Sequence, residues 1–238
     1  MEETPTALSE GGAALTESLK AAWPICIGYV PIGLAFGVLA QKACLSPSEI
    51  GLMSLLVFAG SSQFIAVSML NAGSPLVSIV LTTFVVNLRH LLMSSALAVY
   101  LRPLGRARAS LFAYGVTDES FAVNFTKFRL GCWHWQQALL VNHIANATWV
   151  GSSLLGGVTG QFIPAGAFGI DYALVAMFLC LLVFQLRGGL YAATAALAGI
   201  LAVMLALFLP GNLHIIVASV AAATTGFWFR RRLRGGEG

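Results

Sequence analysis

The sequence predicts an all-α, polytopic membrane protein, and three observations carry that prediction. Apolar residues make up 58% of the 238-residue chain and charged residues 9%; the mean hydropathy is +0.85; and only twelve charged residues lie in 21–229. So few charges could not cover the surface of a domain in water, whereas lipid asks only that the backbone be satisfied within helices. A water-soluble enzyme does not fit. At roughly 20 residues per crossing, this stretch holds about six to eight helices with no room for a soluble module. The expected organisation is a flexible acidic tail over 1–18, one transmembrane domain over 19–229 and a basic tail over 230–238.

The opening Met1, Glu2 and Glu3 lack the basic start of a cleaved signal, so the first apolar run is expected to stay as a helix. Apolar segments then occupy 21–41, 50–70, 75–100, 133–156, 171–186, 189–209 and 212–229, which predicts seven crossings. A further segment, 110–126, is apolar at both ends but carries Asp118 and Glu119 at its centre. It reads as re-entrant or as a shielded eighth helix. Arg230, Arg231, Arg232 and Arg234 place the C-terminus in the cytoplasm if Lys and Arg concentrate there. Seven crossings then put every basic loop inside, and the acidic N-terminus and the uncharged loops 71–74, 157–170 and 210–211 outside. The net charge of +4 is thus a topology signal, and nucleic-acid binding is not indicated.

The first two spans carry helix breakers: Pro24, Gly28, Pro31, Gly33 and Gly37, then Gly60-Ser61-Ser62-Gln63-Phe64. Both helices are expected to be broken. Interrupted spans point to a transporter's binding site, while close packing through small residues accounts for the isolated glycines. The third span carries Asn87, Arg89 and His90. A mid-span arginine costs about 2.5–3.5 kcal/mol, so Arg89 should pair with a carboxylate or a substrate anion, or snorkel to the headgroups. His90 is a satisfied bundle histidine or part of a proton relay.

Asp118 and Glu119 either cap a short helix after Thr117 or offer negative charge to Arg89, to a cation or to a substrate ammonium. Both are also proton-relay candidates, with His90 and His143. In the fourth span Asn142, Asn146 and Trp149 form one stripe, for interhelical hydrogen bonds or for substrate contact. Trp23, Trp133, Trp135 and Trp228 fall near span ends, as an interfacial belt would have them. Cys26, Cys44, Cys132 and Cys180 lack metal or disulfide spacing and read as buried small hydrophobes. No nucleophile, base and orienter share a known spacing, and no phosphate-binding loop is present. Neither a cofactor nor a metal is expected.

The strings Pro31-Ile32-Gly33-Leu34-Ala35-Phe36-Gly37, Phe58-Ala59-Gly60-Ser61-Ser62-Gln63-Phe64, Asn87-Leu88-Arg89-His90, Thr117-Asp118-Glu119-Ser120-Phe121 and Asn142-His143 through Trp149 together resemble the AzlC family of branched-chain amino acid permeases. The resemblance covers about 20–229. It implies export of leucine, isoleucine, valine and similar amino acids across a bacterial inner membrane, driven by the proton gradient and with a small AzlD-type membrane subunit. The residues suit such a zwitterion with an apolar tail. Arg89 is expected to hold the carboxylate and Asp118 or Glu119 the ammonium, with Phe36, Phe64 and Trp149 lining a tail pocket. Backbone at the breaks near Gly33 and Gly60 could replace either charged contact. A channel or carrier for another small polar solute is the alternative.

Overall fold

Helix ends fall where the sequence supplies caps and breakers in the computed structural model, which describes residues 7–163 apart from 103 and 132, then 172, 175, 176, 179, 182, 183, 186, 188–208 and 213–235. The regular elements among them are all helical. They are α1 (Ala7–Lys42), α2 (Pro47–Leu56), α3 (Gly60–Asn71), α4 (Leu76–Ala98), α5 (Arg106–Tyr114), α6 (Asp118–Arg129), α7 (Trp135–Thr159), α8 (Gly189–Ala206) and α9 (Leu213–Gly235), with a 3-10 turn at Gly160–Phe162. The all-α membrane class is as expected. Three stretches, Ala14–Lys42, Leu76–Ala98 and Gly189–Ala206, are long and apolar enough to cross a bilayer unbroken. The chain divides into two compact units, Met1–Leu174 and Val175–Gly238, where one domain was expected. Most of the expected fifth span, 171–186, lies outside the described residues together with Asp171, as do Cys132 and Cys180.

Two expectations for the N-terminal region change. Helix α1 begins at Ala7, well inside the segment read as a tail, and Ser18 is fully buried. Glu17 reaches both Lys127, at 3.3 Å, and the Gln137 side-chain amide, at 3.0 Å. Those contacts hold this part of α1 against the α6–α7 corner. Nor is the first span broken, because α1 runs through Pro24 and Pro31 without interruption. Proline costs a helix at least one backbone hydrogen bond. Long-range packing offsets that cost here, for α1 lies closely along α7. A Cβ on Gly37 would strike the Ser153 carbonyl, and one on Gly156 would strike the Leu34 carbonyl. Gly33 faces Ser152 in the same seam. Small residues at spacings of three and four let two helix backbones approach in this way.

The second span is broken, as expected. Ser46 and Glu49 form a reciprocal capping box that starts α2 behind Pro47. The helix stops at Leu56, and Phe58 adopts φ +41, a left-handed conformation that a bulky residue rarely takes. Strain of this kind costs about 1–3 kcal/mol and persists where the surroundings impose it. Helix α3 restarts at Gly60.

The segment 110–126 repeats the pattern. Helix α5 ends at Tyr114, Gly115 to Thr117 interrupt it, and α6 starts at Asp118, capped by Thr117, whose hydroxyl accepts from the Ser120 amide while the Ser120 hydroxyl accepts from the Thr117 amide. The helix start after Thr117 is where the sequence put it. The two broken helices flank α4 in sequence, and interrupted helices in corresponding positions are a mark of carrier folds. In the C-terminal unit α8 and α9 pack together, with Gly226 against Thr194.

Candidate functional site

Each break leaves backbone groups that a continuous helix would have paired, and these orphans organise the site. In an unbroken second span the Ala59 amide would donate to the Leu55 carbonyl. Here it donates to Gln63 Oε1 at 3.3 Å, and the Leu55 carbonyl takes the Tyr114 hydroxyl, from the other broken helix. At the second break the Val116 carbonyl lies 2.8 Å from His90 Nδ1, and the Phe112 carbonyl accepts from the Asn142 amide at 3.3 Å. Gly115 permits this last contact, since a Cβ there would sit 2.7 Å from Asn142 Cβ. His90 is thereby a bundle histidine satisfied through one nitrogen, which must carry the proton to donate to a carbonyl.

Arg89 joins the two breaks. One guanidinium nitrogen lies 2.7 Å from Asp118 Oδ2, at the first residue of α6, and another donates to Ser61 Oγ in the first turn of α3. The side chain therefore turns into the helix assembly towards a carboxylate, the pairing expected of a charge at this depth. Glu119, the adjacent carboxylate, has a different partner: its Oε2 accepts from the Tyr29 hydroxyl at 2.7 Å, and that hydroxyl also lies 2.8 Å from Thr117 Oγ1. Asn87 Oδ1, Arg89 Nε and His90 Nε2 are buried with no hydrogen-bond partner among the described residues. An unmet buried polar atom costs about 1–3 kcal/mol, so three within about one turn of α4 mark a place where a polar group would be stabilised.

Beside this polar strip the rings are packed in a row. Phe64 meets Phe36 edge on at 5.4 Å, Phe36 stacks on Trp149 at 5.9 Å, and Trp149 meets Tyr29 at 5.4 Å. Tyr29 in turn touches Phe58, and Phe58 touches Tyr114. Trp149 Nε1 donates to Gln63 Oε1 at 3.0 Å, and Gln63 donates to Ser54 Oγ at 3.3 Å. Gly60 lets the indole lie over the first turn of α3, at 3.0 Å from where a Cβ would be. The side chains expected to line a tail pocket thus fill it in this conformation.

The sequence-selected residues therefore separate into groups. Ser61, Arg89, Asp118 and Glu119 come together, with Asn87 and His90 on the same helix as Arg89. Phe36, Gly60, Gln63, Phe64 and Trp149 form the adjoining apolar wall. Ser62 serves its own helix, donating to the Ala59 carbonyl at 2.9 Å. Asn142 and Asn146 brace the broken helices: Asn142 also accepts from Asn124 at 2.9 Å, and Asn146 donates to Tyr114 at 3.3 Å. Gly33 belongs to the α1–α7 seam. His143 is half-buried and makes no hydrogen bond or ion pair among the described residues. Trp133, expected at an interface, is buried and donates to Asn124 at 3.1 Å. Cys44, expected to be buried, is exposed.

Sequence reasoning missed Tyr29, Ser54, Tyr114, Thr117 as a partner of Tyr29, and Asn124. A hydroxyl or amide deep in an apolar run needs a partner, and Tyr29, between two prolines in such a run, carried that signal.

Comparison with known proteins identifies relatives of this chain. A family model described as AzlC protein matches residues 24–163. The inner membrane protein YgaZ of Escherichia coli is 31% identical, over 95% of this chain and 97% of its own. The branched-chain amino acid transport protein AzlC of Bacillus subtilis is 30% identical, over 73% of this chain and 68% of its own. A membrane protein of Archaeoglobus fulgidus is 30% identical, over 91% and 95%. No solved structure matches.

Proposed function

The chain belongs to the AzlC family of membrane transport proteins, and from that premise we propose that it exports leucine, isoleucine, valine and similar amino acids across a bacterial inner membrane. In this reading transport is coupled to protons, the N-terminus lies outside and the C-terminus in the cytoplasm, and a small AzlD-type subunit completes the transporter. The name of the Bacillus subtilis relative supports the substrate class.

The observation that carries the reading is the position of Arg89, with one hand on each broken helix. A zwitterionic amino acid brings one negative and one positive group. Its carboxylate would replace Asp118 at Arg89 and take up amides at the start of α3, where the helix dipole favours an anion. Its ammonium would replace Arg89 at Asp118. The exchange conserves charge at every point, which matters where an unpaired ion costs several kcal/mol. Phe36, Phe64 and Trp149 would part to receive the apolar tail. Because Arg89 ties Ser61 to Asp118, opening that pair would also release the two half-helices from one another, which links occupancy to a change of access.

The test is counterflow of labelled leucine in proteoliposomes, with and without the small subunit and across a pH step. Saturable leucine exchange that responds to the pH step is expected; no leucine signal under any condition discards the substrate assignment.

A further inference from the structure

Of the two adjacent carboxylates, we infer that Glu119, held by Tyr29, is the one that takes up and releases a proton, while Asp118 stays ionised as the partner of Arg89. The inference rests on the coupling proposed above and divides its labour between two neighbours. Protonating Asp118 would break a 2.7 Å ion pair and leave a guanidinium uncompensated within a span. Glu119 has no cation within salt-bridge distance among the described residues; its partner is a phenol.

That phenol serves both states of Glu119. When Glu119 is ionised, Tyr29 donates to Oε2, at 2.7 Å. When a proton arrives from water, an O–H bond forms on the Glu119 carboxyl. Tyr29 then swings its own proton to Thr117 Oγ1, at 2.8 Å, and its oxygen accepts from the new acid. No hydrogen bond is lost in either direction, and release of the proton to water reverses the steps. The Thr117 hydroxyl oxygen has two lone pairs: one accepts from the Ser120 amide at 3.3 Å, and the other can accept from Tyr29. Glu119 is half-buried.

The charged and titratable groups around it are few. Helix α6 packs on α1, α4 and α7. From α1 comes Tyr29; from α4 come Arg89, engaged with Asp118, and His90, engaged with the Val116 carbonyl. From α7 His143 is half-buried and unpaired among the described residues. At the far end of α6, Lys127 is paired with Glu17. Tyr29 is thus a positioning residue in contact with three functional elements: Glu119, the Thr117 cap and, through its ring, Trp149 and Phe58.

The test uses infrared difference spectra of the purified full chain during a pH titration, which read protonated carboxyl groups whether or not leucine is the substrate. The wild type is expected to show a carboxyl band that grows as pH falls. One component of that band, above the contribution of the other eight Asp and Glu side chains, is expected to vanish in Glu119→Gln, to persist in the double variant Arg89→Gln/Asp118→Asn, and to shift its pH midpoint in Tyr29→Phe. Glu119→Asp, which keeps the carboxyl, should keep a band and so separates loss of the group from misfolding. A carboxyl spectrum unchanged in Glu119→Gln, or a component that is lost with Asp118 instead, overturns the assignment. Failure of leucine counterflow with these spectra as expected would overturn the substrate and leave the proton site standing.

Discussion

Arg89 is the residue on which the site turns, and its identity matters beyond its charge. A guanidinium presents several N–H donors in a rigid fork, whereas an ammonium is a compact point charge. Two different nitrogens of Arg89 engage Asp118 and Ser61. Arg89→Lys keeps the charge at Asp118 but cannot hold both broken helices with the same geometry. It should lower leucine counterflow by roughly ten- to a hundredfold, about what losing one charged hydrogen bond of 1.5–3 kcal/mol implies. Insertion and yield should stay near wild type. Undiminished counterflow in this variant would show that the link to Ser61 plays no part in transport. At this scale the sequence was legible where chemistry is scarce. A cation in an apolar span must find an anion, and only Asp118, Glu119, Asp171 and Glu49 were on offer. Which of the adjacent pair it would choose depended on the start of α6, where the first helical position aims Asp118 at Arg89 and the second turns Glu119 towards Tyr29.

At the scale of the helix, glycines that look alike in sequence do different work. A Cβ on Gly28 meets nothing within 4 Å, while one on Gly37 would strike the α7 backbone. Gly28→Ala should therefore be neutral or raise stability by up to about 1 kcal/mol through helix propensity. Gly37→Ala should cost roughly 1–3 kcal/mol, or more if α1 cannot shift away from α7. Thermal unfolding of the two variants in detergent checks the contrast, and equal midpoints would refute the tight α1–α7 seam. The same pair explains why a break was expected in α1 and did not occur. Breakers report a local tendency, and the seam with α7 is a long-range fact that no window of the first span contains. The breaks at 57–59 and 115–117 were legible in part, because Gly60 and Gly115 and the Thr117 cap are local signals. The tail expected over 1–18 is helical from residue 7 on, residues 1–6 lying outside the described residues, and the contacts of Glu17 with Lys127 and Gln137 on distant helices are not visible in its own segment.

Among the described residues fully buried polar side chains coexist with large apolar side chains exposed on the helix surfaces. Gln63, Ser120, Asn124 and Asn142 are fully buried, whereas Leu76 and Leu92 on α4 are 72% exposed. An apolar exterior around a hydrogen-bonded interior is what a bilayer imposes, because lipid cannot satisfy amides or hydroxyls. Composition alone was enough to read this class. The closed row of rings could not be read, since filling depends on how α1, α3 and α7 meet.

The proposed exchange of partners at Arg89 and Asp118 requires both charges of the substrate, and competition in leucine counterflow measures that requirement directly. With labelled leucine in proteoliposomes, valine and isoleucine should compete, while leucinamide, which lacks the carboxylate, and 4-methylpentanoate, which lacks the ammonium, should not. Competition by either single-charge analogue as strong as that of valine would contradict the account.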